Sequence, residues 1–347
     1  MKVQEKYIKR CIELAKNGLG TTYPNPLVGC VIVFENTIIG EGWHKKSGEA
    51  HAEVIAIESV KNKELLSSST LYVSLEPCSH FGKTPPCADL ILKYKIPNVV
   101  IGTIDPNSKV AGKGIQKLKE SGVNVTFGIL EKEGNELNKR FFTFHKKSRP
   151  YIILKWAESS DGFISPKNKT EQKPVWISNE YSRQLAHKWR SEEQAILVGT
   201  QTIIDDNPSL TVREWVGNNP IRVVIDKENR IDSSYNVFDN QAKTIVFSNK
   251  EVTSVADQIQ HIKIDFDKNP IQAIVDKLFE NHIQSIIIEG GRKTIQSFID
   301  ANLWDEASVF IGEINLNDGT KAPILNSKNF KKEHLKNDLL LTYRNND

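Results

Sequence analysis

Three observations predict an α/β protein built from two domains. Apolar strand-like runs alternate with helical stretches of about ten residues along the chain, which implies parallel or mixed sheets covered on both faces. With 347 residues, the chain exceeds what one core usually supports, since domains cluster near about 100–150 residues. The alternation breaks at FTFHKKSRP (Phe142–Pro150), a charged stretch without periodicity, ending in a proline that disfavours helix at Arg149.

The first domain is therefore placed at residues 1–145. A helix is expected over Val3–Asn17, where Tyr7, Ile8, Cys11, Ile12, Leu14 and Ala15 form one apolar stripe. Strands follow at Val28–Phe34 and Thr37–Glu41, then a helix from His51 to Val60 and a strand at Thr70–Ser74. The pattern continues with helix Cys87–Tyr94, strand Val99–Ile104, helix Gly114–Ser121, strand Val123–Phe127 and helix Glu131–Phe141. The second domain, residues 150–347, opens with strand Tyr151–Ala157 and helix Asn179–Arg190. Strands Ala195–Val198, Ile221–Asp226 and Thr244–Phe247, helix Pro270–Glu280, strand Ser285–Glu289, helix Arg292–Ala301 and strand Glu306–Ile311 complete it.

A composition of 39% hydrophobic and 26% charged residues is that of a globular protein. Charges interrupt the N-terminal stripe, so it is neither a signal peptide nor a membrane span, and a cytoplasmic protein without a membrane partner is expected. Four cysteines in so long a chain do not make a disulfide framework, which favours metal or catalytic use of a close pair. A net charge of +3 leaves no general nucleic-acid footprint but suits a small phosphorylated substrate.

The close pair lies in LEPCSHFGKTPPCADLI (Leu75–Ile91), which holds Cys78 and Cys87. A phosphate loop fails because Pro77 stands where the Walker pattern needs its first glycine, and the spacing is too long for Cys-x-x-Cys. A plain turn stays open until the upstream segment GEAHAEVIAI is considered. There His51 and Glu53 stand two apart, diverging by roughly 200° on a helix, so both serve one site only if His51 sits at the helix start. Cys87 also begins a helix, after Pro85–Pro86, where the dipole favours a thiolate.

His51, Cys78 and Cys87 thus make a zinc site with one open position, which marks catalytic rather than structural zinc. Glu53, outside the ligand set, suits a proton shuttle between a metal-activated water and a leaving amine. The pattern matches the zinc-deaminase signature H-x-E…P-C-x-x-C except that eight residues, not two, separate the cysteines. A structural zinc knuckle would need a fourth ligand, with Cys11 or Cys30 as candidates.

These residues lie in a chain that resembles the bifunctional deaminase-reductases of riboflavin biosynthesis. The likeness runs through TTYPNPLVGCVIV, GEGWHKKSGEAHAEVIAI, LEPCSHFGKTPPCADLI and IDPNSKVAGKGIQKLKESGVNV, then ILKWAESSDGFIS, the stretch Trp176–Arg213, PIRVVID and IIIEGGRKTIQSFIDANLWDE. It implies a cytidine-deaminase-like α/β/α domain followed by a dihydrofolate-reductase-like α/β domain. The longer insert between the cysteines is the rule in that family, and Ser79–Pro86 would line the substrate pocket.

The implied reactions are hydrolysis of the amine on carbon 2 of 2,5-diamino-6-(5-phosphoribosylamino)-4(3H)-pyrimidinone, then reduction of the ribosyl to the ribityl side chain by NADPH. Carried over by position, Asn25, His44, His80 and Lys83 would meet the deaminase substrate. Arg190, Leu210, Arg213 and Glu289 would meet the sugar phosphate in the reductase, the arginines through planar, permanently charged forks. NADPH would touch Glu158 through main chain, Trp176, Thr202, Asp206, and the run Gly291, Arg292, Lys293, Thr294, Ile295, Gln296 and Ser297.

No G-x-G-x-x-G fingerprint is present; a strand running into Gly290–Gly291 and a helix instead offers backbone N–H groups to a phosphate. Asp206 is the first guess for the reductase proton donor. Family members commonly form dimers or tetramers, so a homo-oligomer is expected. The competing readings are a deaminase with a decayed reductase half, opposed by the intact Gly-Gly turn, Asp206 and Arg213, and a zinc-containing nucleic-acid-binding module, opposed by the modest charge.

Overall fold

A computed structural model describes residues 3–79, 85–107, 111–252, 257–327 and 329–345. It divides into two compact units, Met1–Ser148 and Arg149–Asp347. The first unit runs α1 (Val3–Ala15), β1 (Gly29–Phe34), β2 (Thr37–Trp43), α2 (Ala52–Ser59), β3 (Thr70–Leu75), α3 (Cys87–Lys93), β4 (Asn98–Thr103), α4 (Lys113–Glu120), β5 (Asn124–Phe127), α5 (Glu131–Leu137) and α6 (Lys139–Lys147). Its sheet has the order β2-β1-β3-β4-β5; β1 is antiparallel to β2 and β3, and β3, β4 and β5 are parallel.

Strand alternation distributes two cores over the sheet's faces. From β1, Val31 and Val33 join the stripe of α1, including Tyr7, Ile8, Cys11 and Ile12. Cys30 and Ile32 point the other way and pack with Ala52, Ala56 and Ile57 of α2, Ala88 and Ile91 of α3, and Ile115 and Leu118 of α4. The parallel strands thus end, at their carboxyl edges, beside the starts of α2, α3 and α4.

Helix α6 occupies most of the stretch expected to be an aperiodic linker. Phe141, Phe142 and Phe144 give it a buried face, and the charges that make FTFHKKSRP read as a linker are the basic last turn His145, Lys146 and Lys147, where cations complement the helix dipole. Ser148 ends it in the left-handed region at φ 52°. Arg149 already belongs to the second unit, forking onto Asp305 at 2.6 and 2.9 Å, while Asp305 also accepts the Ile152 N–H.

The second unit contains β6 (Tyr151–Glu158), β7 (Phe163–Pro166), α7 (Glu180–Glu192), β8 (Ala195–Gly199), α8 (Thr200–Asp206), β9 (Ile221–Ile225), β10 (Thr244–Ser248), β11 (Ile259–Lys263), α9 (Pro270–Glu280), β12 (Ser285–Ile288), α10 (Arg292–Asp300), β13 (Glu306–Ile311), β14 (Gly319–Lys321), β15 (Phe330–Leu335) and β16 (Asp338–Arg344). Nine strands form one sheet in the order β11-β10-β9-β8-β12-β6-β13-β16-β15, and β14 pairs with β7 apart from it. All neighbours in the large sheet are parallel except β13–β16 and β16–β15. Helices α9 and α10 cover one face through Ile274, Val275, Leu278, Ile295 and Phe298; Ile203 of α8 and Trp189 of α7 pack on the other.

The sequence pattern does not reveal α8, β7, β11 or the last three strands. In β15, FKKEHL, every residue from Phe330 to His334 is exposed, so no face is buried and no alternation is written. Among the described residues, no helix is long and apolar enough to cross a membrane.

Candidate active sites

In the first unit three chain starts and ends converge. His51 is the N-cap of α2, with an extended backbone (φ −73°, ψ 163°), and Glu53 is the second residue of that helix, so the two diverging positions are reconciled at the helix start. Gly42 of β2 lets α2 lie this close: a Cβ there would be 2.6 Å from the Ala56 nitrogen. Cys87 is the first residue of α3, behind the N-cap Pro86. Cys78 follows β3 and is tied to α3, its carbonyl accepting the Ala88 N–H at 3.1 Å and its Sγ the Cys87 N–H at 3.3 Å.

His51 Nδ1 lies 3.3 Å from Cys87 Sγ and 3.6 Å from Cys78 Sγ, and all three donor atoms fall within 4.8 Å of one another. Tetrahedral zinc, with bonds of about 2.3 Å to sulfur and 2.0–2.1 Å to nitrogen, requires donor separations of about 3.6–3.8 Å. The donor set therefore fits three corners of one zinc tetrahedron, and among the described residues no fourth donor joins them.

The protonation pattern suits a cation. A hydrogen bond from Cys87 holds the Cys78 thiol down at about 4, helped by His51, while Cys87, bonded to that sulfur and buried, is pushed well up. A bound cation takes both as thiolates. Burial, then the neighbouring Cys78 charge, raises Glu53 to about 7; its side chain is buried, at 3% exposure.

A second carboxylate, Glu76, fixes the Cys78 segment. It accepts four backbone N–H groups, from Asp105 and Gly112 on Oε2 and from Gly114 and Ile115 on Oε1, at 2.9–3.3 Å. It thereby caps the start of α4 from the end of β3. Gly114 permits the approach, since a Cβ would lie 2.1 Å from the Pro77 carbonyl oxygen.

Asn25 and His44 lie beside the metal donors: Asn25 Nδ2 is 3.0 Å from His44 Nε2, and the His44 ring is 5.4 Å from that of His51. His80 and Lys83 lie outside the described residues. Sequence reasoning missed Asp105 as a site residue. It follows β4, next to the strand that carries Cys78, and burial raises its carboxyl to about 6; its position just past a strand's carboxyl end was the available signal.

In the second unit a cleft of about 450 Å³ is lined by Trp176, Arg190, Leu210, Arg213 and Glu289, together with Lys155 and His187. It shares Thr202, Asp206 and Gly290 with a cavity of about 640 Å³ lined also by Gly291, Arg292, Lys293, Gln296 and Ser297. Arg190 grips Glu289 with Nε at 3.3 Å and Nη2 at 2.8 Å. Burial alone would raise the Glu289 carboxyl, but the Arg190 and Lys155 cations outweigh it and hold it at about 2.

Arg190 therefore spends its fork within the protein, and Arg213, whose Nη1 donates to Thr211 Oγ1 at 3.3 Å and which makes no ion pair among the described residues, is the freer cation. His187 Nδ1 accepts the Arg213 backbone N–H at 3.1 Å; burial, then Arg190 and Arg213, lower its pKa to about 4. Lys155 and His187 were not singled out from the sequence. Lys155 sits on β6 amid apolar residues, where a lone lysine is the signal, and burial lowers its pKa against the pull of Glu289.

Several expected cofactor residues are placed differently. The Gly291 N–H donates to Thr202 Oγ1 at 3.0 Å, so the open donors at this turn belong to the first turn of α10, which has no side-chain cap. Ile295 is fully buried in the core and Thr294 packs at Gly199; neither lines the cavity. Glu158 lines neither space: its carboxylate accepts Trp156 Nε1–H at 2.7 Å and its carbonyl the Gly312 N–H at 2.9 Å. Asp206 is paired with Lys169, and Leu210 is 3% exposed in the core with φ 55°.

Residues 1–103 match the cytidine and deoxycytidylate deaminase zinc-binding region, and residues 150–344 match the RibD C-terminal domain. The riboflavin biosynthesis protein RibD of Aquifex aeolicus is 37% identical, with 99% of this chain and 98% of that one covered. The chain belongs to the RibD family. RibD of Bacillus amyloliquefaciens is 42% identical over 93% of this chain and 88% of its own. A solved deaminase/reductase from Thermotoga maritima superposes with a TM-score of 0.89 at 36% identity, covering 99% of this chain and 98% of that one. As a RibD-family member the chain is a bifunctional enzyme of riboflavin biosynthesis, a deaminase and a reductase on small molecules, with Zn2+ and NADPH as cofactors.

Proposed function

We propose that residues 1–145 deaminate 2,5-diamino-6-(5-phosphoribosylamino)-4(3H)-pyrimidinone and that residues 150–347 then reduce the ribosyl side chain of the product to ribityl. The observation that carries this is the convergence of His51, Cys78 and Cys87 at tetrahedral spacing with buried Glu53 beside them. The solved Thermotoga maritima relative is a diaminohydroxyphosphoribosylaminopyrimidine deaminase and 5-amino-6-(5-phosphoribosylamino)uracil reductase, which supports the choice of substrates.

Bound zinc supplies Lewis acidity, bringing a water's pKa toward about 7. Glu53, itself near 7, takes a proton at its carboxylate and returns it to the departing amine; water oxygen replaces nitrogen on carbon 2 and ammonia leaves. Asn25 holds the ring, and His80 and Lys83 are assigned to the substrate from the family pattern.

NADPH supplies a hydride to carbon 1 of the opened ribose. The uncapped first turn of α10, with Arg292 and Lys293, suits its phosphates, and Thr202 sets the glycine turn. Arg213 takes the substrate phosphate, while Arg190 keeps Glu289 ionised as an acceptor for sugar hydroxyls. Asp206, engaged by Lys169, is a poorer proton source than Lys155, whose pKa is lowered and which faces the same cleft. A cytoplasmic homo-oligomer, dimer or tetramer, completes the proposal and is read by light scattering.

The direct test is Glu53→Gln. Ammonia release should fall about a hundredfold to ten-thousandfold with zinc content unchanged, and NADPH oxidation on the deaminated product should persist. Full ammonia release by the variant would contradict the assignment.

A further inference from the structure

We infer that Lys169 is a positioning residue of the reductase: through Asp206 it removes an uncompensated negative charge from the path of the dinucleotide and ties down the segment 167–175 that walls the cofactor cavity from the substrate cleft. This rests on the proposal that the cavity at the start of α10 takes NADPH. Lys169 lies in the stretch that leaves β7 and runs to Trp176, and its Nζ is paired with Asp206 Oδ1 at the end of α8.

The charge on the cavity walls makes this pair matter. Asp205, Asp206 and Asp300 line the cavity together with Lys169, Arg292 and Lys293, so acids and cations balance only while Lys169 is present, whereas the dinucleotide is a polyanion. Asp205 and Asp300 are bonded to neutral amides, Gln201 Nε2 at 2.7 Å and Gln296 Nε2 at 2.8 Å. Asp206 is the acid that lines the substrate cleft as well. Its side chain and that of Lys169 are 22% and 19% exposed, where water screens a charge less than it does at an open surface. Without its cation, Asp206 would repel the cofactor from the wall that the two spaces share.

The same pair holds the segment in place. Pro174 and Val175 line both the cavity and the cleft, so the position of residues 167–175 sets the opening between them. Among the described residues the one backbone hydrogen bond of this segment is internal, from the Lys173 N–H to the Glu171 carbonyl at 2.9 Å. Its ties to α8 are two side chains, Lys169 on Asp206 and Gln172, whose Nε2 donates to the Ile204 carbonyl at 2.8 Å. A further pair, Lys167 with Asp318, joins exposed side chains and holds little.

Three measurements on the zinc-loaded full chain test this. With NADPH binding read by energy transfer from tryptophan, Lys169→Met should raise Kd about tenfold, the effect of one like charge across an intermediate dielectric, and the loss should shrink as salt rises. In an Asp206→Asn background the same substitution should change Kd less than about twofold. An unchanged Kd for Lys169→Met, or a loss that persists in the Asp206→Asn background because Lys169 meets the cofactor directly, would overturn the inference. Lys169→Gln serves if the methionine variant does not fold. In cofactor-free protein, Asp206→Asn, which keeps every lysine, should speed tryptic cleavage after Lys167 and Lys169; an unchanged rate would overturn the tie. Replacing Arg292 and Lys293 by alanine separates the two readings: NADPH binding unaffected by that change would overturn the cavity assignment and the inference with it, whereas binding lost there but untouched by Lys169→Met would overturn the inference alone.

Discussion

At the scale of single residues, the two sites handle buried charge in opposite ways. Glu53, buried and beside the Cys78 sulfur, has its carboxyl raised to about 7, which suits its proposed part in taking and giving a proton. Glu289 is surrounded by cations and stays ionised. Removing its partner strands it: Arg190→Ala should cost about 3–5 kcal/mol of stability, the usual penalty for an uncompensated buried charge, and adding Glu289→Gln should recover part of it. Chemical unfolding followed by tryptophan fluorescence checks this, because five of the six tryptophans follow Arg149 and only Trp43 precedes it.

The same probe reads pH. His187 falls from its ordinary 6.5 to about 4, so between those values the unfolded chain binds a proton that the folded chain does not. Stability should decline as pH drops through that window, and Glu289, depressed from 4.5 to about 2, extends the loss from there to lower pH. His187→Asn should flatten the slope between pH 6.5 and 4; an unchanged slope would contradict it.

At the scale of elements, His51, Glu53 and Cys87, the candidate site groups of the first unit, sit at the starts of α2 and α3. That placement was legible, because His51 and Glu53 two apart and Cys87 after Pro85–Pro86 allow no other geometry that joins them. The anchoring of Cys78 was not legible: Glu76 reaches N–H groups as far away as Ile115, and no local pattern encodes a contact 39 residues distant. Gly114 makes that contact possible. Gly114→Ala should push α4 from Pro77, cost about 1–3 kcal/mol through overpacking, and lower deamination while leaving reduction intact, measured as separate ammonia and NADPH rates.

Reading the second unit was harder for a related reason. Its strand order places β12 between β8 and β6, so cleft residues come from segments distant in sequence. Apolar runs such as Ser285–Ile288 declared themselves, whereas α8, with one fully buried residue, Ile203, and β15, with exposed faces, carried no period to detect. Arg190 and Glu289 were both expected to meet substrate, but their pairing across 99 residues, which leaves Arg213 as the freer cation, required the fold.

At the scale of the whole molecule, the chain joins a zinc-dependent hydrolysis to an NADPH-dependent reduction, with the division falling at Ser148 and Arg149. The metal donors belong entirely to the first unit, so stripping zinc should abolish ammonia release while leaving NADPH oxidation intact when the deaminated product is supplied. The central claim is that one chain performs both steps in this order. The most direct measurement gives zinc-loaded protein the diaminopyrimidinone phosphate with NADPH and follows ammonia and cofactor in one cuvette. Ammonia should appear first, with NADPH oxidation following after a lag; NADPH oxidation without ammonia release, or ammonia never followed by oxidation, would contradict the account.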